Sequence, residues 1–243
     1  MPQTMPPAAS PAQLENIGAI AAAMVEDSQV VGLGSGRAAQ AFVRQLGRRI
    51  VQGGLQMMGI PTSLATTRVA RTANVPLTTL ENVARVDIAV DGADEVDPQL
   101  NLLKGGGGDL LREKVVASIS RKLIIVVGQE KLVPRLGMRF PVFIEVVRFA
   151  MPTVIRALVE MGATATPRRN ADQTLFLTDN GNPLVHAYLS PHPGAPGLEN
   201  PARLEERLAG IPGVIETGLF LGMADEVLVA RFDGMIDHLL RAK

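Results

Sequence analysis

The chain has 243 residues, 47% of them hydrophobic, which is enough for one large folded domain or two small ones. Its 24 lysines and arginines balance 24 aspartates and glutamates without any basic run, so the composition argues against a nucleic-acid or anionic-membrane partner. The absence of cysteine excludes disulfides, thiolate catalysis and cysteine-bound metals.

The N-terminal sequence predicts an unstructured segment followed by a helix. Residues 1–9 are rich in proline and are expected to be disordered, and they lack the basic start and apolar run of a secretory signal. Ser10, Pro11 and Gln13 form a capping box with proline at the first helical position, which predicts a helix to about Val25. No run of about 18 apolar residues occurs in the sequence, so we expect a cytoplasmic protein without a membrane span.

Apolar runs alternate with helical patterns through the first half of the chain. Strands are expected at Gln29–Gly32, Leu55–Ile60, around Leu77–Leu80, at Val86–Asp91 and at Lys122–Val127, with helices at Arg37–Ile50 and Asp109–Ile119. The run Lys122–Val127 is almost entirely apolar, as in a strand covered on both faces. This alternation predicts an α/β fold with a parallel-sheet, Rossmann-like domain and helices on both faces.

The pattern changes after about Gly137. Strands are expected at Phe140–Val147, Ala163–Pro167, Thr174–Thr178, Pro183–Leu189 and Val214–Leu219, with helices at Met151–Met161 and Pro201–Leu208. The residues Asp179–Asn182 contain an Asn-Gly pair between apolar runs, which predicts a hairpin turn. These elements predict a smaller α+β domain of the split βαβ, ferredoxin-like type.

The end of the chain is expected to rejoin the first sheet. A strand at Glu226–Ala230 is followed by residues that predict a helix to the C-terminus. The sequence therefore predicts a Rossmann-like catalytic domain of residues 1–136 and 226–243, and a small α+β domain of residues 137–225.

The densest polar cluster lies in residues 86–114. Asp91 ends an apolar strand, and Gly92 permits a tight turn that brings Asp94 back towards it. Lys104 precedes four glycines, 105–108, whose backbone can approach a ligand closely and direct N–H groups at an oxyanion. Ligands of open α/β sheets bind beyond the carboxyl ends of the strands, so these residues form a candidate site.

A further carboxylate follows the glycines. Asp109 can cap the next helix, and Glu113 lies one turn further on. Because helical side chains tilt towards the N-terminus, Glu113 is expected to lean back over the glycine loop. Taken alone, each of these residues is more simply explained as part of a turn, a loop or an exposed helix face. Their joint spacing at a strand end indicates catalysis.

An earlier glycine loop, Gly32–Arg37, joins the first strand to a helix. Its N–H groups at a helix start can bind an anion, and the helix dipole favours this. A tight turn without a ligand is the alternative. With Arg37 at the helix start and Lys131 after another strand, a phosphate pocket is predicted.

The spacing of these residues does not match other known ligand-binding motifs. The acidic run from Asp91 has glycine at position 2 and Leu102 at position 12, unlike a calcium loop. Lys104 precedes its glycines, unlike a P-loop lysine, and Gly32–Arg37 lacks the third glycine of a dinucleotide fingerprint. No metal or cofactor is therefore expected. The three histidines lack ligand spacing and are expected to be surface or hydrogen-bonded residues: His186, His192 and His238.

The chain resembles the A-type ribose-5-phosphate isomerases. The matching segments are VVGLGSGRAAQAF (30–42), DGADEVDPQLNLLKGGGGDLLREKVVAS (91–118), EKLVPRLG (130–137), TDNGN (178–182) and IPGVIETGLF (211–220), followed by Ala224 and Asp225. The resemblance implies conversion of D-ribose 5-phosphate to D-ribulose 5-phosphate through an enediol or enediolate, without metal or cofactor, in the pentose phosphate pathway. It also implies a two-domain chain assembled as a homodimer or homotetramer.

The resemblance implies a role for each matching residue. Glu113 would move the proton between C2 and C1, and Asp91 would assist ring opening and hold the reacting hydroxyl. Asp94 would partner Asp91, and Lys104 would stabilise the oxyanion. The implied substrate-binding residues are Gly34, Ser35, Gly36, Arg37, Gly92, Ala93, Gly105, Gly106, Gly107 and Lys131.

Three departures from the family pattern are present. The first loop has Arg37 and Ala38 where hydroxyl residues are usual, and Gly128–Lys131 replaces an acidic-serine-lysine pattern. His186 replaces an aspartate. Two alternative functions stay open at this point: a non-catalytic sugar-phosphate sensor, and a coenzyme A transferase relative in which Glu113 attacks as a nucleophile.

Overall fold

The computed structural model describes residues 7–189 and 197–241, whose contacts divide them into two units. The six-stranded unit, named after its sheet, comprises residues 7–93, the segment Arg112–Lys131 and residues 223–241. The ferredoxin-like unit, named after its strand order, comprises Asp94–Leu111 and Leu132–Gly222. The predicted domain boundaries, 136/137 and 225/226, stay a prediction.

Strands and helices are numbered here in chain order. The strands are β1 Gln29–Leu33, β2 Met57–Pro61, β3 Ile88–Asp91, β4 Glu95–Val96, β5 Leu102–Leu103, β6 Leu123–Gly128, β7 Val142–Val146, β8 Thr164–Pro167, β9 Leu184–Tyr188, β10 Val214–Thr217, β11 Leu219–Phe220, β12 Glu226–Ala230 and β13 Ile236–Leu240. The helices are α1 Pro11–Ala23, α2 Gly36–Gly53, α3 Leu64–Thr72, α4 Leu110–Ser118, α5 Met151–Glu160 and α6 Pro201–Ala209. Short 3₁₀ turns cover Gln129–Lys131 and Arg148–Ala150.

The sheet of the six-stranded unit has the order β13-β12-β6-β3-β1-β2. Its strands run parallel except for β13, which pairs antiparallel with β12. Every residue of β3, β6 and β12 is buried, as expected for parallel strands covered on both faces. The predicted Rossmann-like parallel sheet is confirmed.

Helices cover both faces of this sheet. Val31 and Leu33 belong to a core with Phe42 of α2, whereas a Cβ on the intervening Gly32 would lie 2.7 Å from Val116 Cγ1 of α4. Successive strand residues point to opposite faces, so α2 and α4 lie on opposite sides of the sheet. The capping box before α1 is also confirmed, because Gln13 N donates to Ser10 Oγ and Gln13 Oε1 accepts from Ser10 N.

The ferredoxin-like unit follows the order β7-α5-β8-β9-α6-β10 along the chain. Its four strands form an antiparallel sheet in the order β10-β7-β9-β8, which is the split βαβ arrangement that the sequence predicts. A second sheet of the unit joins the short strands in the order β11-β5-β4. Its main core contains Phe143, Ile144, Leu158 and Leu184.

Three sequence predictions are wrong. Residues 236–240 form β13 rather than a helix, because Gly234 at φ 86° and the Asp233 carboxylate, accepting from Met235 N, reverse the chain beside β12. Around Leu77 only an isolated bridge to Gly59 forms. The expected strand 174–178 makes two isolated bridges, since its amides pair with different segments.

The N-terminal segment differs in part from the expected disorder. Residues 1–6 lie outside the described residues. Ala9 is buried and packs against Leu14 and Ala41, so the end of the predicted disordered stretch belongs to the fold.

Candidate functional site

Asp91 lies at the carboxyl end of β3, and its side chain is only 4% exposed. Its Oδ1 accepts from the backbone N–H of Ser35 at 2.9 Å and of Gly92 at 2.7 Å. A Cβ on Gly34 would lie 2.3 Å from Asp91 Cγ and 2.5 Å from its Cα, so only glycine allows this approach. The first glycine loop is therefore built directly against the carboxylate of Asp91.

A group of hydroxyls supports this loop and was missed by the sequence interpretation. Ser35 Oγ and Thr62 Oγ1 are 2.9 Å apart, and Thr62 Oγ1 donates to the Leu33 carbonyl at 3.1 Å. Thr66 Oγ1 donates to the Gly34 carbonyl at 2.9 Å. The signal was present, since Thr62 and Ser63 directly follow an apolar strand and Ser63 caps α3 by accepting from Thr66 N.

The N-terminus of α2 follows the same loop. Gly36 begins the helix at φ 82°, and the first turn contains no acidic residue. Ser35 occupies the cap position, but its hydroxyl makes no capping hydrogen bond. The side chain of Arg37 is exposed and makes no hydrogen bond or ion pair with other residues of 7–189 and 197–241. This helix start, with a cation beside it, suits an anion.

Glu113 lies in the first turn of α4 and is 6% exposed. It lines one small cavity together with Asp91, Gly34 and Thr62. Two buried carboxylates thus border the same small space, which lies between the sheet and α4. Such a pair can take up and deliver a proton close to a bound carbon chain.

Lys131 ends the 3₁₀ turn that follows β6, and it is half-buried. The strands β1 and β6 flank β3 in parallel register, so Ser35, Asp91 and Lys131 all follow strand ends at one edge of the sheet. Two strand spacings separate β1 from β6, about 10 Å. Gly92 and Ala93 continue from β3 and are half-buried.

The second glycine loop belongs to the ferredoxin-like unit. Asp94 Oδ2 accepts from Gly106 N at 2.8 Å, while Gly105 and Gly108 have φ values of 116° and 102°. These backbone conformations strongly favour glycine. Gly107 is exposed at the tip of the loop.

Lys104 precedes this loop and is 3% exposed. Its backbone N–H donates to Gly218 O at 2.8 Å, and its ammonium lies 5.5 Å from the centroid of the Phe220 ring. The packed stem and the ring contact fix a positive charge inside the unit.

Arg168, which follows β8, also contacts the second loop. Its Nη1 donates to Gly106 O at 3.0 Å, and its guanidinium carbon lies 3.8 Å from the centroid of the Phe176 ring. Burial lowers the pKa of Arg168, while the charges of Asp109 and Asp94 act in the opposite direction. No sequence signal distinguished Arg168 from its neighbour Arg169.

The TDNGN segment serves a buried carboxylate. Glu145 on β7 is fully buried, and its Oε1 accepts from Thr178 Oγ1, Asn180 Nδ2 and Asn182 Nδ2 at 2.9–3.1 Å. The polar residues of the predicted hairpin turn therefore anchor that turn to the sheet. Glu145 is a structural acceptor for these side chains.

The histidines lie apart from these groups in the sequence, and two of them are in the described part of the chain. His186 on β9 contacts Phe143 edge-on with ring centroids 5.2 Å apart, and its buried Nε2 has no hydrogen-bond partner there. The expectation of a surface or hydrogen-bonded residue is thus wrong for His186, because β9 turns it towards Phe143. His238 is exposed, and its Nδ1 lies 3.0 Å from Glu226 Oε1. His192 lies outside the described residues.

Within residues 7–189 and 197–241, no helix is long and apolar enough to cross a membrane. No group of three or more histidine, aspartate or glutamate side chains there could hold a metal ion. A groove of about 590 Å³ along α2 and α3, bordered by Arg44, Arg48 and Arg68, contains none of the predicted site residues.

Comparisons with known proteins agree on one family. The family model of ribose 5-phosphate isomerase A (phosphoriboisomerase A) matches residues 58–234. The chain is 43% identical over 229 residues to ribose-5-phosphate isomerase A of Synechococcus sp. (strain JA-3-3Ab), covering 93% of this chain and 97% of that protein.

Solved structures give the same result. The ribose 5-phosphate isomerase A of Methanocaldococcus jannaschii aligns with a TM-score of 0.87 and 37% identity, covering 94% of this chain and 98% of that one. A D-ribose-5-phosphate isomerase in complex with phospho-erythronic acid aligns with a TM-score of 0.87 and 36% identity, covering 95% and 99%.

Proposed function

The chain belongs to the ribose 5-phosphate isomerase A family, and we propose that it interconverts D-ribose 5-phosphate and D-ribulose 5-phosphate. The family predicted from the sequence is confirmed, and the comparisons support neither the sensor nor the coenzyme A transferase alternative. The observation that carries the proposal is the pair of buried carboxylates, Asp91 and Glu113, that line one small cavity.

The reaction moves a proton between two neighbouring carbons. A base removes the C2 proton of the open-chain aldose, the released electron pair forms a C1–C2 double bond, and O1 becomes an enediolate oxygen. The proton is then delivered to C1, and the O2 hydroxyl proton passes to O1 as C2 becomes the ketone. We assign the base to Glu113, because a buried carboxylate held on a helix can act on both carbons from one side.

The other polar groups have supporting roles in this proposal. Asp91 assists ring opening and holds the reacting hydroxyl, since two backbone amides orient its carboxylate. Asp94 is its partner carboxylate, and its bond to Gly106 N orders the second glycine loop. Lys104 supplies a buried positive charge for the enediolate oxygen. Gly92, Ala93, Gly105 and Gly107 are proposed to contact the substrate through their backbone.

Phosphate binding is proposed for the first glycine loop. Gly34 N and Ser35 N already donate to Val90 O and Asp91 Oδ1, so we assign the phosphate to Gly36 N and the first turn of α2, which holds no acidic side chain. Arg37 and Lys131 supply positive charge, and Lys131 follows a strand end at the same sheet edge as Ser35. Arg37 thus replaces the hydroxyl donors that the family usually has here.

We also propose that the enzyme works in the cytoplasm as a homodimer or homotetramer. Its partner would be the small sugar-phosphate substrate, with no nucleic acid or membrane partner. Light scattering coupled to gel filtration measures the assembly directly, and a monomer at micromolar concentration would contradict this part of the proposal.

Glu113→Gln tests the reaction itself. The substitution keeps the size of the side chain but removes the base, so kcat on ribose 5-phosphate should fall about 10²- to 10⁴-fold with an unchanged melting temperature. Glu81→Gln, an exposed glutamate of the same unit, is the matched control and should retain full activity. A Glu113→Gln variant with more than about a tenth of the wild-type kcat would show that Glu113 is not the base.

Isotope exchange separates the alternatives. In deuterated water, the isomerase should incorporate deuterium at C1 of ribulose 5-phosphate. A sensor would bind sugar phosphates without exchange, and a transferase would form a covalent thioester on Glu113. Phospho-erythronic acid, which has a carboxylate beside its hydroxyl-bearing carbon and a terminal phosphate, should inhibit competitively.

A further inference from the structure

Both backbone polar groups of Gly106 pair with charged side chains. Its N–H donates to Asp94 Oδ2 at 2.8 Å, and its carbonyl accepts from Arg168 Nη1 at 3.0 Å. Charge-assisted hydrogen bonds of this kind are about twice as strong as neutral ones. Gly106 is thus held from two sides, in a loop whose glycines otherwise have wide conformational freedom.

Phe176 adds a second contact to the same loop. Its ring stacks on the guanidinium of Arg168 at 3.8 Å. It also supports Gly108, because a Cβ at Gly108 would lie 2.6 Å from Phe176 Cζ. The backbone N–H of Phe176 donates to Arg168 O at 3.0 Å, so the two side chains come from paired segments. Arg168 and Phe176 together brace the loop at Gly106 and at Gly108.

Charge explains why an arginine suits this position. The guanidinium is half-buried, and Asp94 and Asp109 are the carboxylates that interact with it electrostatically. A planar group can stack on a ring with its face while it donates from its edge, which a lysine cannot do. Because Nη1 of Arg168 donates to the Gly106 carbonyl, this nitrogen points at the protein backbone.

We propose that Arg168 is a positioning residue for the isomerase reaction, acting through the Gly106 carbonyl and the Phe176 ring to hold the second glycine loop and Asp94 in their reactive arrangement. This inference rests on the proposed function. It assigns to the β8–β9 connection a role in turnover that the sequence did not indicate.

Arg168→Ala and Arg168→Lys test the proposal, with Arg169→Ala as the matched control. Arg169 is exposed and donates to Gln173 O within its own turn. We expect Arg168→Ala to lower kcat about 10- to 100-fold with KM within about threefold, since small misplacement of catalytic groups costs this much. Arg168→Lys should lose less, because the charge remains. Added methylguanidinium should restore part of the activity of Arg168→Ala, and Arg169→Ala should match wild type.

The outcomes are distinguishable. An Arg168→Ala enzyme with wild-type kcat, or one in which KM alone rises, would overturn the positioning role, the second result indicating a direct substrate contact. If Arg168→Ala does not fold, Phe176→Leu removes the stack while leaving the hydrogen-bond donor, and the same fall in kcat is expected. An unchanged kcat in a folded Phe176→Leu variant would also contradict the proposal. A wild-type chain without any turnover would reject the proposed function itself.

Discussion

Two glycine loops each donate one amide to an aspartate, but they are supported differently. In the six-stranded unit, Ser35 N donates to Asp91 at 2.9 Å, and in the ferredoxin-like unit Gly106 N donates to Asp94 at 2.8 Å. The first loop follows β1 beside the end of its parallel neighbour β3, and it rests on backbone and short hydroxyl side chains. The second loop depends on the long side chains of Arg168 and Phe176.

The two loops should respond differently to an added side-chain atom. At Gly34 of the first loop, an added Cβ would meet the Cα of Asp91 as well as its carboxylate, and the Cα can move only if the sheet shifts. Side chains surround the second loop, and these can change rotamer at lower cost. We therefore expect a substitution at Gly34 to reduce mainly stability, and substitutions in the second loop to reduce kcat with less loss of stability.

Gly34→Ala should have the largest effect and Gly106→Ala a smaller one. The new Cβ at position 34 would lie 2.5 Å from Asp91 Cα, whereas at position 106 it would lie 2.8 Å from Asp94 Oδ1, the end of a side chain. Overpacking against backbone costs more than the usual 1–3 kcal/mol, so we expect about 4 kcal/mol for Gly34→Ala and about 1 kcal/mol for Gly106→Ala. Urea denaturation measures both.

The control for this pair is Gly53→Ala, because nothing lies within 4 Å of a Cβ added at that helical position. It should stabilise the protein by about 0.5–1 kcal/mol. Equal losses of unfolding free energy for Gly34→Ala and Gly106→Ala would contradict the distinction between the two loops.

Glu145→Ala tests the buried carboxylate that anchors the turn after Phe176. The substitution leaves the donors of Thr178, Asn180 and Asn182 without their common acceptor, so we expect a loss of about 2–3 kcal/mol. Thermal unfolding should show a melting temperature about 4–12 °C lower. Glu160→Ala, an exposed glutamate of the same unit, is the control. A Glu145→Ala variant with wild-type stability would show that the turn forms without this carboxylate.

Arg37→Ala should act on substrate binding alone. The side chain is exposed at the start of α2, and a charge-assisted bond to phosphate contributes about 1.5–3 kcal/mol. Because that bond is present in both ground and transition states, KM should rise roughly 10- to 100-fold while kcat changes much less. Arg48→Ala, exposed on the same helix, should leave KM unchanged. An unchanged KM for Arg37→Ala at low ionic strength would show that the loop amides and Lys131 bind the phosphate without Arg37.

The sequence predicted the first loop better than the second. The strands β1, β3 and β6 are apolar except for Gln29 and Asp91 at their ends, so the strand ends and the residues that follow could be placed from the local pattern. The two-residue strands β4 and β5 are too short to show any period, and they were missed. Helix α3 was missed because few of its residues are buried, so its apolar period is weak.

Side-chain contacts between residues far apart in the chain could not be predicted from local sequence patterns. Arg168 meets Gly106 across 62 residues, and no local signal marks an arginine in a hairpin as buried. The same holds for Glu145, whose partners lie 33–37 residues away. In both cases the sequence showed the family motif, but the contacts that explain the motif are seen only in the folded structure.

The smallest expected effect concerns His186, which packs on Phe143 below the second loop. Burial, and then the charge of Arg168, lowers the pKa of His186, so the folded state favours the neutral ring. The unfolded chain binds the proton more readily, and stability from this group is therefore lost as pH falls below the ordinary histidine pKa of about 6.5. His186→Phe keeps the aromatic contact and removes both the titration and the unpaired Nε2. The wild-type melting temperature should fall by about 2–4 °C more than that of the variant between pH 7.5 and pH 5.5, with kcat at pH 7.5 unchanged. Parallel melting curves for the two proteins across this range would show that His186 does not couple protonation to folding.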